Sequence, residues 1–423
     1  MVSPYQQTVL SNGLRVLSCE MPHTRSVSID IFAGIGSRYE EDKEAGVSHF
    51  LEHMLFKGTT RRPSGADISG AIEQIGGMMN AGTDRETTSF WCKVASPHFG
   101  RALDVLMDII RNPLMSQEDV DKERGVIQEE LNMTNDYPSY RVDLLTDEML
   151  WPDQPMGRDV GGTRETVDGI TRQMILDWFQ RHYVASNMVV SVAGNVSHGE
   201  VVETVATLAG DMPSGSLPVY RIAAHDNGQH PRVRLESRKT EQAHLSLCLP
   251  GLATRHPDRY ALDLMNGVLG DGMSSRLFVE MRETRGLAYE VHSSLTHFRD
   301  TGSIVVYCGV EPKKAKEAVE TVLGELQRIK DGVPDEELSK AKEFAKGRLL
   351  LRMEDTRAVA GWAGAQEILY GEVLSVDEVV ERVEAISTED VLRAARDYLV
   401  SEQLRLAVVG PYRSDRQFQA LLR

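Results

Sequence analysis

The chain has 423 residues, 41% hydrophobic and 26% charged, with 47 basic against 63 acidic side chains and a net charge of −16. This is the composition of a globular protein of two or three domains, and it excludes collagen-like, low-complexity and disordered chains. The acidity argues against a nucleic-acid partner or an anionic membrane surface, and the longest apolar runs, 188–193 and 404–409, fall far short of the roughly 18 residues a spanning helix needs.

The first residues, Met1 to Gln7, carry neither the basic nor the apolar stretch of a secretory leader, so a cytoplasmic location is expected. Four cysteines, Cys19, Cys92, Cys248 and Cys308, include no Cys-x-x-Cys pair and read as buried, reduced thiols. Asn12-Gly13 between two strand-like runs predicts a hairpin with a type I′ turn. A strand at 26–32 and a second hairpin, 78–83 with 87–94, follow among helical patterns. Strands and helices mix without regular βαβ alternation, which predicts an α+β fold with mostly antiparallel sheets and helices packed on them.

Near the midpoint, Pro213-Ser214-Gly215-Ser216-Leu217-Pro218 has the composition of a linker. On either side the pattern repeats. A helix ending at Tyr183 leads into a strand closing at Gly194, and a helix ending at Tyr398 leads into a strand closing at Gly410. The offsets are 398 − 183 = 215 and 410 − 194 = 216, about half the chain. Two homologous, duplicated domains are therefore expected: residues 1–212, a linker at 213–224, and residues 225–423.

The chemistry-bearing segment is His49-Phe50-Leu51-Glu52-His53. On a helix, residues four apart lie about 40° from one another and one turn along, so both imidazoles can grip one ion. Glu52 lies about 60° from His49, placed to act on a water beside the metal without binding the metal itself. His-x-x-Glu-His is a zincin-type signature. A hydrolytic zinc takes three protein ligands, so a second element must supply one. The candidate is an acidic helix from Ser116 to Met133, opened by a capping-box-like Ser116/Asp119. Its Glu123 and Glu130 share a face with Val126 and Ile127 between them, and spacing alone does not exclude Glu129 as the ligand.

Together, His49-x-x-Glu52-His53 and Glu123-Arg124-Gly125-Val126-Ile127-Gln128-Glu129-Glu130 resemble the inverted-zincin peptidases, the family of pitrilysin, insulysin and mitochondrial processing peptidase. The resemblance covers essentially the whole chain. It implies one zinc per chain held by His49, His53 and Glu130, because the family's third ligand follows the second histidine by about 77 residues, and 130 − 53 = 77. By the same resemblance Glu52 is the general base and Glu123 the carboxylate that orients a ligand. The strand containing Asn80 and Ala81 becomes the edge onto which an extended peptide adds. Arg282 and Tyr289, seven apart, become a pair that contacts substrate near the zinc. The second half has no His-x-x-Glu-His of its own; residues 260–265 stand in the place of the duplicated metal helix.

Where processing peptidases carry acidic residues for a presequence arginine, this chain has Tyr140 and Leu144, which points to bacterial two-domain members with general peptide substrates. The implied function is a zinc endopeptidase acting on short or unfolded peptides, with the acidic charge suited to basic ones. The alternatives are a presequence-processing subunit and a non-catalytic scaffold like the core proteins of respiratory complexes. The long relatives place zinc in the first of four domains and the Arg…Tyr pair in the fourth. Two copies of a two-domain chain would recreate that set, so a homodimer with sites completed across chains is expected.

Overall fold

The computed structural model describes residues 5–226 and 228–422. By packing, the chain forms two compact units. The first comprises the chain up to Leu131, Asp159–Arg221 and Leu350–Ser375; the second comprises Asn132–Arg158, Ile222–Leu349 and the chain from Val376 onward. This is not a single cut at residues 213–224: one segment from each sequence half packs in the unit built mainly by the other half.

The first unit holds a six-stranded sheet of β1 (Gln6–Val9), β2 (Arg15–Glu20), β3 (Ser26–Ala33), β4 (Met78–Thr83), β5 (Thr88–Ala95) and β6 (Met188–Gly194), in the order β1-β2-β6-β3-β5-β4. Only the β2–β6 pair is parallel. The second unit's sheet has β7 (Val233–Ser237), β8 (Ala243–Pro250), β9 (Ala288–His297), β10 (Gly302–Val310) and β11 (Arg405–Gly410), in the order β7-β11-β8-β10-β9, again with one parallel pair, β7–β11. Taken from β2 onward, the first order is the second repeated, strand for strand. β4 and β9 are the corresponding free edges. The duplication is thus a duplication of topology, and the architecture is two α+β domains.

The first hairpin differs in detail from a type I′ turn. Gly13 is left-handed, with φ of 90°, but Asn12 is not, and Gly13 N–H donates to Leu10 O at 2.9 Å. This is a longer loop with a left-handed glycine at its end, the three-residue alternative to the two-residue turn. The reason is tertiary: Asn12 Nδ2 donates to Ala209 O at 2.8 Å, so its side chain is committed elsewhere. Of the thiols, Cys92, Cys248 and Cys308 are buried, whereas Cys19 is only half-buried.

After β3 come α1 (Val47–Leu55) and α2 (Gly65–Glu73), and after β5 come α3 (Phe99–Arg111), α4 (Gln117–Asp136) and α5 (Pro138–Leu150). Val27, Ile29 and Ile31 of β3 join Phe50, Leu51, Met54, Leu103 and Leu106 in one core on the inner face of the first sheet. The outer face is closed by the helix Thr356–Tyr370. Phe32 and Val189 pack there on Ala363 and Ile368, the Ser191 hydroxyl donates to Ala360 O at 2.7 Å, and Ser28 bonds Thr356 at 2.8 Å. Gly364 permits this approach, since a Cβ there would lie 2.4 Å from the Phe32 ring. With both faces covered, β3 and β6 are buried along nearly their whole length; β6 accordingly reads as a nearly continuous apolar run, whereas β3 alternates, its Ser28 on the face that meets the helix.

The second sheet is covered in the same manner. α5 lays Val142, Leu145 and Met149 on Tyr307, Ala407 and Val409, with the Thr146 and Ser246 hydroxyls 2.7 Å apart.

Candidate metal centre

α1 begins at Gly46, whose φ of 95° suits glycine and whose Cβ would lie 2.5 Å from Gly161 O. A glycine cannot cap with a side chain. Glu40, itself buried, substitutes: its two oxygens accept from Gly46 N and Ser48 N, each at 2.8 Å. A carboxylate at this helix end satisfies orphan donors and complements the helix dipole. Val47, Phe50, Leu51, Met54 and Leu55 face the core, leaving His49, Glu52 and His53 on the half-buried side.

α4 supplies the facing groups. Ser116 caps it, accepting from Asp119 N at 3.1 Å. Its buried stripe is Val120, Glu123, Ile127 and Leu131. Val126, expected on that stripe, is 44% exposed. At 100° per residue it lies about 105° from the stripe's centre, whereas Glu130 lies at the margin. Glu129 is exposed, and the group able to hold an ion is His49, His53 and Glu130.

The three donor atoms converge. His49 Nε2 and His53 Nε2 are 3.2 Å apart, and Glu130 Oε2 lies 3.7 Å from the first and 3.5 Å from the second. A tetrahedral zinc with bonds of about 2.0–2.2 Å separates its ligand atoms by about 3.3–3.6 Å, so the residues present fit the ion. Protonation fits as well. Glu123 Oε2 accepts from His53 Nδ1 at 3.1 Å, which leaves the His53 Nε2 lone pair facing the other two donors. Burial, helped by His53, lowers the His49 pKa to about 4, which keeps that ring neutral and able to ligate. The other oxygen of Glu123 meets Lys57 Nζ at 2.6 Å.

Glu52 stands outside the donor triangle. Its Oε2 accepts from the Thr83 hydroxyl at 2.6 Å. Burial raises its pKa, while that hydrogen bond and His53 oppose the rise.

Asn80 and Ala81 lie on β4, the sheet's free edge, which packs beside α1. Asn80 Oδ1 accepts from Ala81 N at 2.8 Å. Arg282 and Tyr289 lie together in the second unit. Arg282 sits in a π-helical turn, Val279–Thr284, a distortion common at functional sites. It donates to Tyr289 O at 3.1 Å and packs over the Tyr289 ring, centroid 4.5 Å away. Tyr289 is 77% exposed. Tyr140 and Leu144 both fall on α5. Reasoning from sequence missed Glu40, Lys57 and Thr83. Only Glu40 had a local signal, a carboxylate just ahead of a helix whose capping residue has no side chain.

The model of the family described as insulinase (peptidase family M16) matches residues 15–164, and that of the peptidase M16 inactive domain matches residues 169–344. An uncharacterized zinc protease of Streptomyces coelicolor is 39% identical over 99% of this chain and 92% of its own length. The chain belongs to the insulinase family. The uncharacterized zinc protease YmxG of Bacillus subtilis is a further relative, 34% identical over 95% of this chain and 96% of its own. The crystal structure of a protease from Helicobacter pylori has the same fold, with a TM-score of 0.91, 21% identity, and coverage of 97% of this chain and 100% of the other. The convergent donors and Glu52 lie in the insulinase match, while Arg282 and Tyr289 lie in the match to the inactive domain.

Proposed function

We propose that this insulinase-family chain is a zinc-dependent endopeptidase that cleaves extended, unfolded peptides, with Glu52 as general base. The observation that carries this is the convergence of His49 Nε2, His53 Nε2 and Glu130 Oε2 beside a carboxylate that is not one of them. His49, His53 and Glu130 would hold the ion. Zinc, when bound there, supplies a Lewis acid and acidifies water towards a pKa of about 7. Glu52 takes a proton from the attacking water and delivers it to the leaving amine. Glu123 keeps the His53 ring turned inward.

In this reading a peptide pairs with the free edge of β4, displacing the bond between Asn80 Oδ1 and Ala81 N, because an unpaired edge is a template for strand addition. Folded proteins offer no such strand and should resist. The net charge of −16 favours basic peptides through long-range attraction. Arg282 would bind a substrate carbonyl and Tyr289 would donate to the developing oxyanion, supplied by the second chain of a homodimer. A cytoplasmic site of action belongs to this reading and rests on the four free thiols.

The test joins zinc determination to a peptide-library cleavage assay. One zinc per chain with cleavage of flexible peptides is expected. Zinc-loaded protein that cleaves no peptide would leave a scaffold role instead.

A further inference from the structure

Thr83 lies at the end of β4, and its surroundings fix it closely. Its ladder partner Thr88 is fully buried and donates to Ile35 O at 3.0 Å. The turn beyond is closed by Asp84 N donating to Thr87 O at 2.8 Å. It is clamped from outside by Ser37 N on Asp84 O at 3.2 Å and Arg38 N on Arg85 O at 3.0 Å. Gly36 allows this clamp, since a Cβ there would lie 2.2 Å from Asp84 O. The strand end that carries the Thr83 hydroxyl is therefore fixed by a backbone-clamped turn, and the Thr88 hydroxyl lies 3.5 Å from it. Glu52, by contrast, reaches across from α1 on a long, rotatable side chain.

β4 alternates. Met79 and Ala81 pack against the core beneath the sheet, and Thr83 points to the same side, where its hydroxyl meets Glu52 Oε2 at 2.6 Å. Asn80 and Gly82 point the other way. The free edge of the strand is a third direction, taken by backbone groups only. One strand thus offers its edge to a peptide and its end side chain to the base.

We propose that Thr83 is a positioning residue. Its hydroxyl engages Glu52 Oε2, leaving Oε1 to take the proton, and so sets the base in register with any peptide paired on β4. This rests on the endopeptidase reading above. Because the hydroxyl points away from the edge, its loss acts on turnover and leaves peptide pairing intact.

The experiment compares Thr83→Val, Thr83→Ala and Thr83→Ser in the zinc-loaded full chain, with a quenched fluorogenic peptide, zinc content and melting temperature measured for each. The expected result for Val and Ala is a fall in kcat of about 10–100-fold, the usual effect of losing a supporting hydrogen bond at a metal site. KM should stay within about twofold and zinc at one per chain, and Ser should restore most of kcat. Thr83→Val should also add nothing to the loss already caused by Glu52→Gln. Should Val fail to fold, the Ala and Ser pair decides. A kcat near wild type in the hydroxyl-free variants, a loss carried by KM, or a Ser variant no better than Ala would overturn the proposal. A wild-type chain that binds zinc and cleaves nothing would instead overturn the peptidase reading, and this proposal with it.

Discussion

Lys57 Nζ lies 2.6 Å from Glu123 Oε1, and the second oxygen of that carboxylate faces His53 Nδ1 at 3.1 Å. Glu123 is only 5% exposed, so its charge needs compensation, and Lys57 provides it from a half-exposed position. Lys57 thereby holds one oxygen of Glu123 while the other faces His53. Glu123→Ala is expected to weaken zinc binding and turnover by about 10–100-fold, with Lys57→Met smaller and in the same direction. Competitive zinc titration against a chelator measures both. An unchanged zinc affinity in Lys57→Met would make that pair a surface contact only.

The ligand assignment separates two neighbouring glutamates. Glu130→Ala should lose the metal, whereas Glu129→Ala, which alters an exposed side chain, should retain it. Binding to the native state raises stability by mass action, about 4 kcal/mol at a free zinc concentration a thousandfold above Kd. Chelator should therefore lower the melting temperature of wild type and of Glu129→Ala, and leave Glu130→Ala unmoved. Elemental analysis of the three proteins checks the stoichiometry.

Glu52→Gln keeps the shape of the side chain and its contact with Thr83 but abolishes the base. A loss of about 10²–10⁴-fold in kcat is expected, the range of general acid–base contributions, with zinc retained. Near wild-type turnover would remove Glu52 from the chemistry.

Asp30 of β3 sits beneath the helix Thr356–Tyr370, with Oδ1 lacking a hydrogen-bond partner. Burial raises its pKa to about 7, opposed by Arg357. An acid whose folded pKa exceeds the unfolded value of about 3.9 favours folding fully below pH 4, and that contribution is lost as pH rises through about 7. The shift corresponds to a ceiling of about 4 kcal/mol. Asp30→Asn should accordingly be more stable than wild type at pH 8 and converge with it towards pH 4. Urea melts at a series of pH values test this, and a difference that grows on acidification would refute it.

The shared-site homodimer has its own test. Glu52→Gln and Tyr289→Phe chains should each be nearly inactive alone. If each site draws Tyr289 from the other chain, a mixed dimer holds one intact site and one with both defects. Random pairing should then restore about a quarter of wild-type activity. No recovery after demonstrated subunit exchange would place both residues in one chain's own site.

What was legible in the sequence was what a single element or a repeat encodes. The i,i+4 histidines, the duplicated helix–strand units and the β4–β5 hairpin all depend on short-range periodicity, while the choice of Glu130 over Glu129 needed the family resemblance. Contacts between elements were not legible. Thr83 and Glu52 are separated by 31 positions, and nothing in either neighbourhood predicts their meeting. Asn12 departs from the expected turn because of a partner 197 positions away. Val126 departs from the expected face because helix spacing sets its angle from Glu123 and Ile127 but not which arc turns inward, and tertiary packing centres the buried stripe near Ile127.

The segments Asn132–Arg158 and Leu350–Ser375, which pack in exchanged units, bear on how the chain is made. The first sheet is complete once Gly194 has emerged from the ribosome, yet the helix that closes its outer face is encoded some 160 residues later. Until then Phe32, Val189, Ser191 and Asp30 form an uncovered surface of mixed polarity. A fragment ending at the connector after Ala209 would expose that surface permanently, and α5 would have no sheet to lie on. Nascent chains of this protein should therefore need protection from the completion of the first sheet at Gly194 until the helix Thr356–Tyr370 is made, and separately expressed halves should be insoluble alone but recoverable when co-expressed.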